Sequence, residues 1–275
     1  MQEQTMPEDF TADTSDANNC LILGASSGIG RACAQALSRG GWNLYGVYFD
    51  SAVNEEQTAA LLADLQFSGN KVNFFNRNAE NKKARDEIIA GIKAELGDRP
   101  LGLVLHSLAF GSLLPFIRTQ PGQDVIQKTQ MEMTLSVMAH SLVYWTQDLW
   151  DAGLLARGSK IFAMTSGGSV MYSKNYGAVS AAKCALESHA KQLATELAPF
   201  GVMVNCVRAG ITDTPALRKI PEFEALLQRA RDNNPHGRLS TPDDIGEAIL
   251  GFSRMRQSWM TGNVINVDGG EILTI

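Results

Sequence analysis

Tyr176 and Lys183 stand seven residues apart in the stretch NYGAVSAAK, a phenol and an amine on a segment with helical patterning. A helix advances ~100° and ~1.5 Å per residue, so the two side chains differ by ~20° around the axis and about 10 Å along it. They share one face, with room between them for a sugar-sized group. A proton donor beside a cation suits acid catalysis at an electron-rich atom. Position 179, four before Lys183, is a valine and has no proton to give. The phenol is therefore one turn further from the lysine than the tightest same-face spacing would place it.

A second set of residues speaks to what is bound. The stretch LILGASSGIGRACAQAL, residues 21–37, reads as strand, tight turn and helix. Gly24, Gly28 and Gly30 fall where a backbone must turn sharply and approach a pyrophosphate closely. The following helix then presents free N–H groups and its positive dipole end to the phosphates. A glycine triplet alone is weak, but this one follows the first apolar strand of an alternating chain, which predicts dinucleotide binding.

The elements that must position these residues alternate along the chain. Apolar runs at 20–23, 42–48, 72–75, 101–105, 160–164, 202–207 and 264–267 read as seven strands. Helical patterns lie near 29–39, 54–68, 81–96, 122–152, 174–198 and 242–256. Such alternation predicts an α/β, Rossmann-type, doubly wound parallel sheet of about seven strands with helices on both faces. Residues 20–275 read as one domain, and 211–240, too long for a simple connection, as a lid over a ligand. Residues 1–19 hold five acids and no base, and read as a disordered acidic tail without the features of a signal peptide. The formal charge of −5 lies entirely there, leaving 24 charges of each sign in the body, which argues against nucleic-acid binding. No apolar run is long enough to span a bilayer. Four cysteines and four histidines show no metal-ligand spacing, and buried free thiols fit a reducing cytosol, so the expected location is cytoplasmic.

The G-x-x-x-G-x-G loop, the element order and the C-terminal INVDGG (265–270) resemble the short-chain dehydrogenase/reductase superfamily over residues 20–275. Ordinary members place the tyrosine four before the lysine. Here Tyr-x6-Lys is similar to the enoyl-acyl-carrier-protein reductase branch. VLHSLAFG (104–111) and VNCVRAGITDT (204–214), with Ala209-Gly210 in place of Pro-Gly, resemble that branch too. The segment 166–187 together with 209–238 looks most like its third bacterial type. A phenol moved by one turn suits a conjugated thioester, whose oxygen gathers negative charge two bonds further from the hydride-receiving carbon than the oxygen of a simple carbonyl does.

The resemblance implies roles residue by residue. Tyr176 would stabilise and protonate the enolate oxygen, and Lys183 would hold the nicotinamide ribose and lower the phenol's pKa. Tyr172 would line the acyl channel. Ser166, seventeen before Lys183, takes the place of the strand-end serine of ordinary members, where many enoyl reductases carry an aromatic residue. No asparagine occurs around 136–138, where carbonyl-reducing members place one. Cofactor contacts are expected from Gly24, Ser26, Ser27, Gly28, Ile29 and Gly30 in the loop, and from Ser107 and Ala109 after the fourth strand. Asn78 would lie near the adenine, Ala209, Gly210 and Ile211 near the nicotinamide, and Thr214 near the nicotinamide or the phosphates. Asp50, after the second strand, would repel a 2′-phosphate and accept from a free ribose hydroxyl, so of NADH and NADPH the sequence favours NADH. His106 reads as hydrogen-bonded structure near the cofactor, and His140 and His189 as packing or interface residues. Arg208, Arg218, Lys219, Arg229, Arg231 and Arg238 group around the lid, as a solvated face or a rim for an acidic acyl carrier protein. A homotetramer is the family's usual assembly. The competing readings are a carbonyl or hydroxysteroid dehydrogenase using Ser166, and a cofactor-binding regulator without turnover.

Overall fold

A computed structural model describes residues 18–50, 55–67, 69–220, 222–256 and 259–274. The acidic tail at 1–17 therefore lies outside the described residues, whereas Asn19 opens the first strand. Seven strands form one sheet: β1 Asn19–Leu23, β2 Asn43–Tyr48, β3 Val72–Asn76, β4 Leu103–His106, β5 Lys160–Ser166, β6 Met203–Ala209 and β7 Val264–Val267. Every neighbouring pair is parallel, in the order β3-β2-β1-β4-β5-β6-β7. The order reverses between β1 and β4. At that point the chain leaves the sheet in opposite directions and a crevice opens beyond the strand ends.

Two apolar layers cover the sheet, as continuous hydrophobic strands require. On one face α1 (Gly28–Arg39), α2 (Glu55–Phe67) and α8 (Pro242–Ser253) bury Cys33, Leu37, Leu61, Leu65, Ile245 and Ile249. On the other, α3 (Lys82–Leu96), α4 (Lys128–Leu135), α5 (Ser141–Asp151) and α6 (Gly177–Leu197) bury Ile88, Ile92, Trp145, Leu149, Leu186 and Leu193. The amphipathic stretch at 223–231 is helical, within α7 (Phe223–Asn233).

Two helices differ from the sequence reading. The pattern at 122–152 is not one helix. Gly122 adopts φ +78 after Pro121, and the helix begins only at Lys128, where Gln130 Oε1 accepts the Gln127 N–H at 2.9 Å. A π turn at Ser136–His140 then separates α4 from α5, and there Ser141 Oγ donates to Val137 O at 2.7 Å. The helix expected at 174–198 starts at Gly177, because Asn175 takes the left-handed φ of +59, which breaks helical progression.

The second layer contains a buried charge. Arg85 of α3 bonds the Asp148 carboxylate of α5 through Nε, and its guanidinium lies 5.7 Å from the Tyr144 ring centre. Replacing one partner strands the other away from full hydration. Arg85→Met is expected to cost about 2–3 kcal/mol, a fall in Tm of roughly 5–10 °C by differential scanning calorimetry. An unchanged Tm would show that this pair does not tie α3 to α5.

Candidate active site

The glycine loop is closed by backbone contacts. Gly24, at φ +89, donates its N–H to Val47 O at 2.8 Å, and a Cβ there would meet Ser107 O at 2.6 Å. A Cβ on Gly30 would stand 2.0 Å from Gly24 O. These contacts bring α1 against the ends of β1 and β4. Ser27 occupies the N-cap position of α1, but its side chain makes no cap bond, and no acid lies in the first turn. The helix end is thus left for an external acceptor, which fits a dinucleotide pyrophosphate. Ser26 and Ile29 line the same turn, half-buried. The segment after β6 reaches this loop: Thr214 Cβ lies 3.5 Å from where a Cβ on Gly28 would be. Ala209, Gly210 and Ile211 lead to it, with the Ile211 N–H bonded to the buried Glu271 carboxylate at 3.0 Å.

Asp50 and Asn78, expected at the ribose and the adenine, follow the ends of β2 and β3. Asp50 is pinned by Asn76, whose Oδ1 accepts the Asp50 N–H at 3.2 Å and whose Nδ2 donates to Asp50 O at 3.1 Å. Asn78 lines a cleft of about 330 Å³ with Arg77, Asn81 and Lys83. Ser107 donates its N–H to Leu23 O at 2.8 Å, and Ala109 beyond it is exposed. The loop, Ser107 and Thr214 meet around one crevice.

Tyr176 is the N-cap of α6, at φ −93 and ψ 3, and its carbonyl accepts the Ser180 N–H at 2.8 Å. The helical phase argument for its direction therefore does not apply. Its position is set by the left-handed turn at Asn175 and by Gly168, where a Cβ would lie 2.4 Å from Tyr176 Cε1. Burial raises the phenol pKa, and the nearby Ser166 hydroxyl offsets part of the rise. The two hydroxyls do not complete an aligned bond, and Ser166 Oγ is buried without a partner. Val179 is buried in the core, and a Cβ on Gly111 would stand 2.8 Å from its Cγ2.

Lys183 is turned inward. Its Nζ donates to Met164 O at 2.7 Å, and burial lowers its pKa to about 8, with Cys206 and Glu187 opposing the fall. The expected lowering of the phenol pKa by Lys183 does not appear, because the amine is held against β5 and the offset comes from Ser166. Tyr172 does not join the group: it is 91% exposed on the loop before α6. His106 is fully buried near Lys183, with Nε2 2.8 Å from Ser141 Oγ, and burial followed by the Lys183 charge lowers its pKa to about 3. His140 Nδ1 and His189 Nε2 meet at 2.9 Å. Arg208 does not belong to the lid charges: it is half-buried and paired with Glu187 at 3.1 Å. Arg218 and Arg238 are engaged locally by Asp213 and Asp244. The sequence reading passed over Glu187 and Glu271, whose partners lie 21 and 60 residues away and leave no local signal.

A family model described as Enoyl-(Acyl carrier protein) reductase matches residues 24–271, so the chain belongs to that family within the short-chain dehydrogenase/reductase superfamily. It is therefore an oxidoreductase of a superfamily whose members use NAD(H) or NADP(H). It is 28% identical over 251 residues to Nodulation protein G of Azospirillum brasilense, covering 91% of this chain and 96% of that one. It is 26% identical over 187 residues to the enoyl-[acyl-carrier-protein] reductase [NADH] of Aquifex aeolicus, covering 67% and 68%. The crystal structure of an Aquifex aeolicus enoyl-[acyl-carrier-protein] reductase (NADH) superposes with a TM-score of 0.76 at 22% identity, over 93% of this chain and 96% of that one. The chain is also 25% identical over 250 residues to the 3-oxoacyl-[acyl-carrier-protein] reductase of Escherichia coli, covering 91% and 95%.

The buried lysine has a measurable signature. Between about pH 8 and its ordinary value of 10.5, the unfolded chain holds the Lys183 proton and the folded chain does not, so stability rises with pH across that window. Below pH 8 the buried charge is a constant cost of up to about 3 kcal/mol. Lys183→Met is expected to be more stable than the parent at pH 7 and to lose that advantage by pH 10.5, as read by urea unfolding. A difference independent of pH would contradict the depressed pKa.

Proposed function

We propose that this protein reduces the trans-2 double bond of enoyl thioesters carried by acyl carrier protein, in fatty-acid synthesis. The observation that carries this reading is the position of the proton donor. Val179, which stands where a carbonyl-reducing site has its tyrosine, is sealed into the core, and the phenol belongs instead to Tyr176, half-buried at the mouth of α6. A donor displaced in this way suits an oxygen remote from the reduced carbon. When bound, the nicotinamide supplies the hydride to the β-carbon. The chain's own residues do the rest. Tyr176, held protonated by burial, donates to the thioester oxygen as charge gathers there. Lys183, charged below about pH 8, is available to the ribose hydroxyls once released from Met164 O. The glycine loop and the uncapped start of α1 hold the phosphates.

Membership of the enoyl reductase family and the Aquifex relative support this activity, and the NADH for which that relative is named, with Asp50 just beyond β2, favours NADH. A cytoplasmic homotetramer is part of the proposal. No helix among the described residues is long and apolar enough to cross a membrane. One observation favours a second reading: Ser166 faces the phenol, as in a carbonyl reductase or hydroxysteroid dehydrogenase, and the Escherichia coli relative is named for reducing a 3-oxoacyl group.

Crotonyl-coenzyme A with NADH and NADPH in parallel separates the two. Loss of nicotinamide absorbance with the enoyl thioester, but not with acetoacetyl-coenzyme A, is expected, with NADH the better cofactor. Tyr176→Phe should lower turnover by about 100-fold or more. Reduction of the ketone alone would establish the second reading and remove the first.

A further inference from the structure

The sheet register places Thr165, Arg208 and Asn266 side by side on β5, β6 and β7, a polar row near the strand ends behind the site. Arg208 reaches along this row and above it. Its Nη1 donates to Asn266 Oδ1 at 3.4 Å, and its Nη2 donates to the Glu187 carboxylate at 3.1 Å and to Ser169 Oγ at 3.2 Å. Thr165 Oγ1 donates to the same carboxylate at 2.7 Å. The Arg208 and Glu187 side chains are only 11% and 14% exposed, and Arg208 Nε is buried without a partner. Desolvating two charges costs as much as their attraction returns, so a pair of this kind is a weak source of stability.

What the pair touches gives it another use. Ser169 ends the short turn that follows β5, and its hydroxyl donates to Ser166 O at 3.1 Å, closing the turn on itself. The Ser169 carbonyl accepts from Cys184 Sγ at 3.3 Å, and the Gly168 carbonyl accepts from Ser180 Oγ, so α6 grips the same turn from the other side. Gly168 is the residue against which the Tyr176 ring rests, and Ser166 carries the hydroxyl that faces the phenol. Glu187 stands on α6 one turn beyond Lys183. The chain of contacts thus runs from Arg208 and Glu187 through Ser169 to the surface on which Tyr176 is seated.

We propose that the Glu187–Arg208 pair is a positioning device that fixes the Ser166–Ser169 turn and, through it, the place of the Tyr176 phenol. The proposal rests on Tyr176 being the proton donor, but the phenol's placement can be read without turnover. The chain has five tyrosines, so ¹³Cζ-tyrosine labelling gives a spectrum in which Tyr176 is assigned by its loss in Tyr176→Phe. The test uses the full chain, comparing Arg208→Met, the double variant Glu187→Met/Arg208→Met, and Ser169→Ala, which cuts the link to the turn and leaves the ion pair in place.

The double variant should recover the thermal stability lost in Arg208→Met, because neither charge is then stranded. Its Tyr176 resonance should remain displaced, and its turnover of crotonyl-coenzyme A should remain ~10-fold to 100-fold low in kcat, with KM for the cofactor within about twofold. Ser169→Ala should displace the same resonance with little change in Tm, and it decides the matter if the double variant does not fold. A double variant with parental Tm, resonance and kcat would reduce the pair to a structural element and overturn the proposal, as would an unmoved resonance in Ser169→Ala. If Tyr176→Phe retains full turnover, the functional reading fails while the resonance still reports whether the pair positions the ring.

Discussion

One carbon atom cannot be added at Gly30. A Cβ would lie 2.0 Å from Gly24 O, so β1 and α1 cross with nothing between their backbones. That contact fixes the start of α1 above the strand ends, beside the point where the sheet order reverses. Gly24 is fitted equally closely to Ser107 O, which ties the loop to β4 on the far side of the same crevice. Thr214 then packs on Gly28 from the segment after β6. Three separate stretches of chain converge because each meets bare glycine backbone. Free N–H groups at the uncapped end of α1 give the crevice its preference for an anion.

The placement of the phenol follows from a different constraint. Residues on α6 must alternate between core and site with helical period, and Val179 falls on the core side against Gly111. A tyrosine there would have to displace packed atoms. Tyr176 escapes that period by lying before the first helical residue, where the Asn175 turn, at φ +59, directs it. Gly168 leaves the ring a flat seat that any larger residue would fill. The departure from the ordinary tyrosine spacing is thus a departure from the helix itself.

Features with a local cause were legible in the sequence. The glycine loop follows from turn chemistry, and the alternating elements follow from period and length. The failures have a common origin in contacts between distant residues. The left-handed Asn175 looks like any residue of a helical pattern until its neighbours are placed. The π turn at Ser136–His140 interrupts a pattern that reads as continuous, and its Ser141 serves His106, 35 residues earlier. Arg208 sits in sequence beside the lid charges, yet β6 carries it under α6 to Glu187. Tyr172 differs in the opposite sense: its spacing matches a family position, and its ring stands exposed on the loop before α6.

The titratable groups around the site are pushed apart by one agent, burial, acting on opposite charge types. It raises the Tyr176 phenol, whose charged form is an anion, and lowers Lys183, whose charged form is a cation. His106, beside Lys183, is driven the same way as the lysine and stays neutral. Ser141 Oγ donates to Val137 O, so it accepts from His106 Nε2–H, which fixes the tautomer and leaves Nδ1 as an acceptor. As pH rises, the first proton to leave this group above neutrality is therefore that of Lys183, near pH 8, while the phenol keeps its own. Such separation suits the proposed roles, a lysine that can change charge near working pH and a phenol that remains an acid. Oxidation of an alcohol would need the phenolate as base, and burial works against that anion, in keeping with the reduction proposed above.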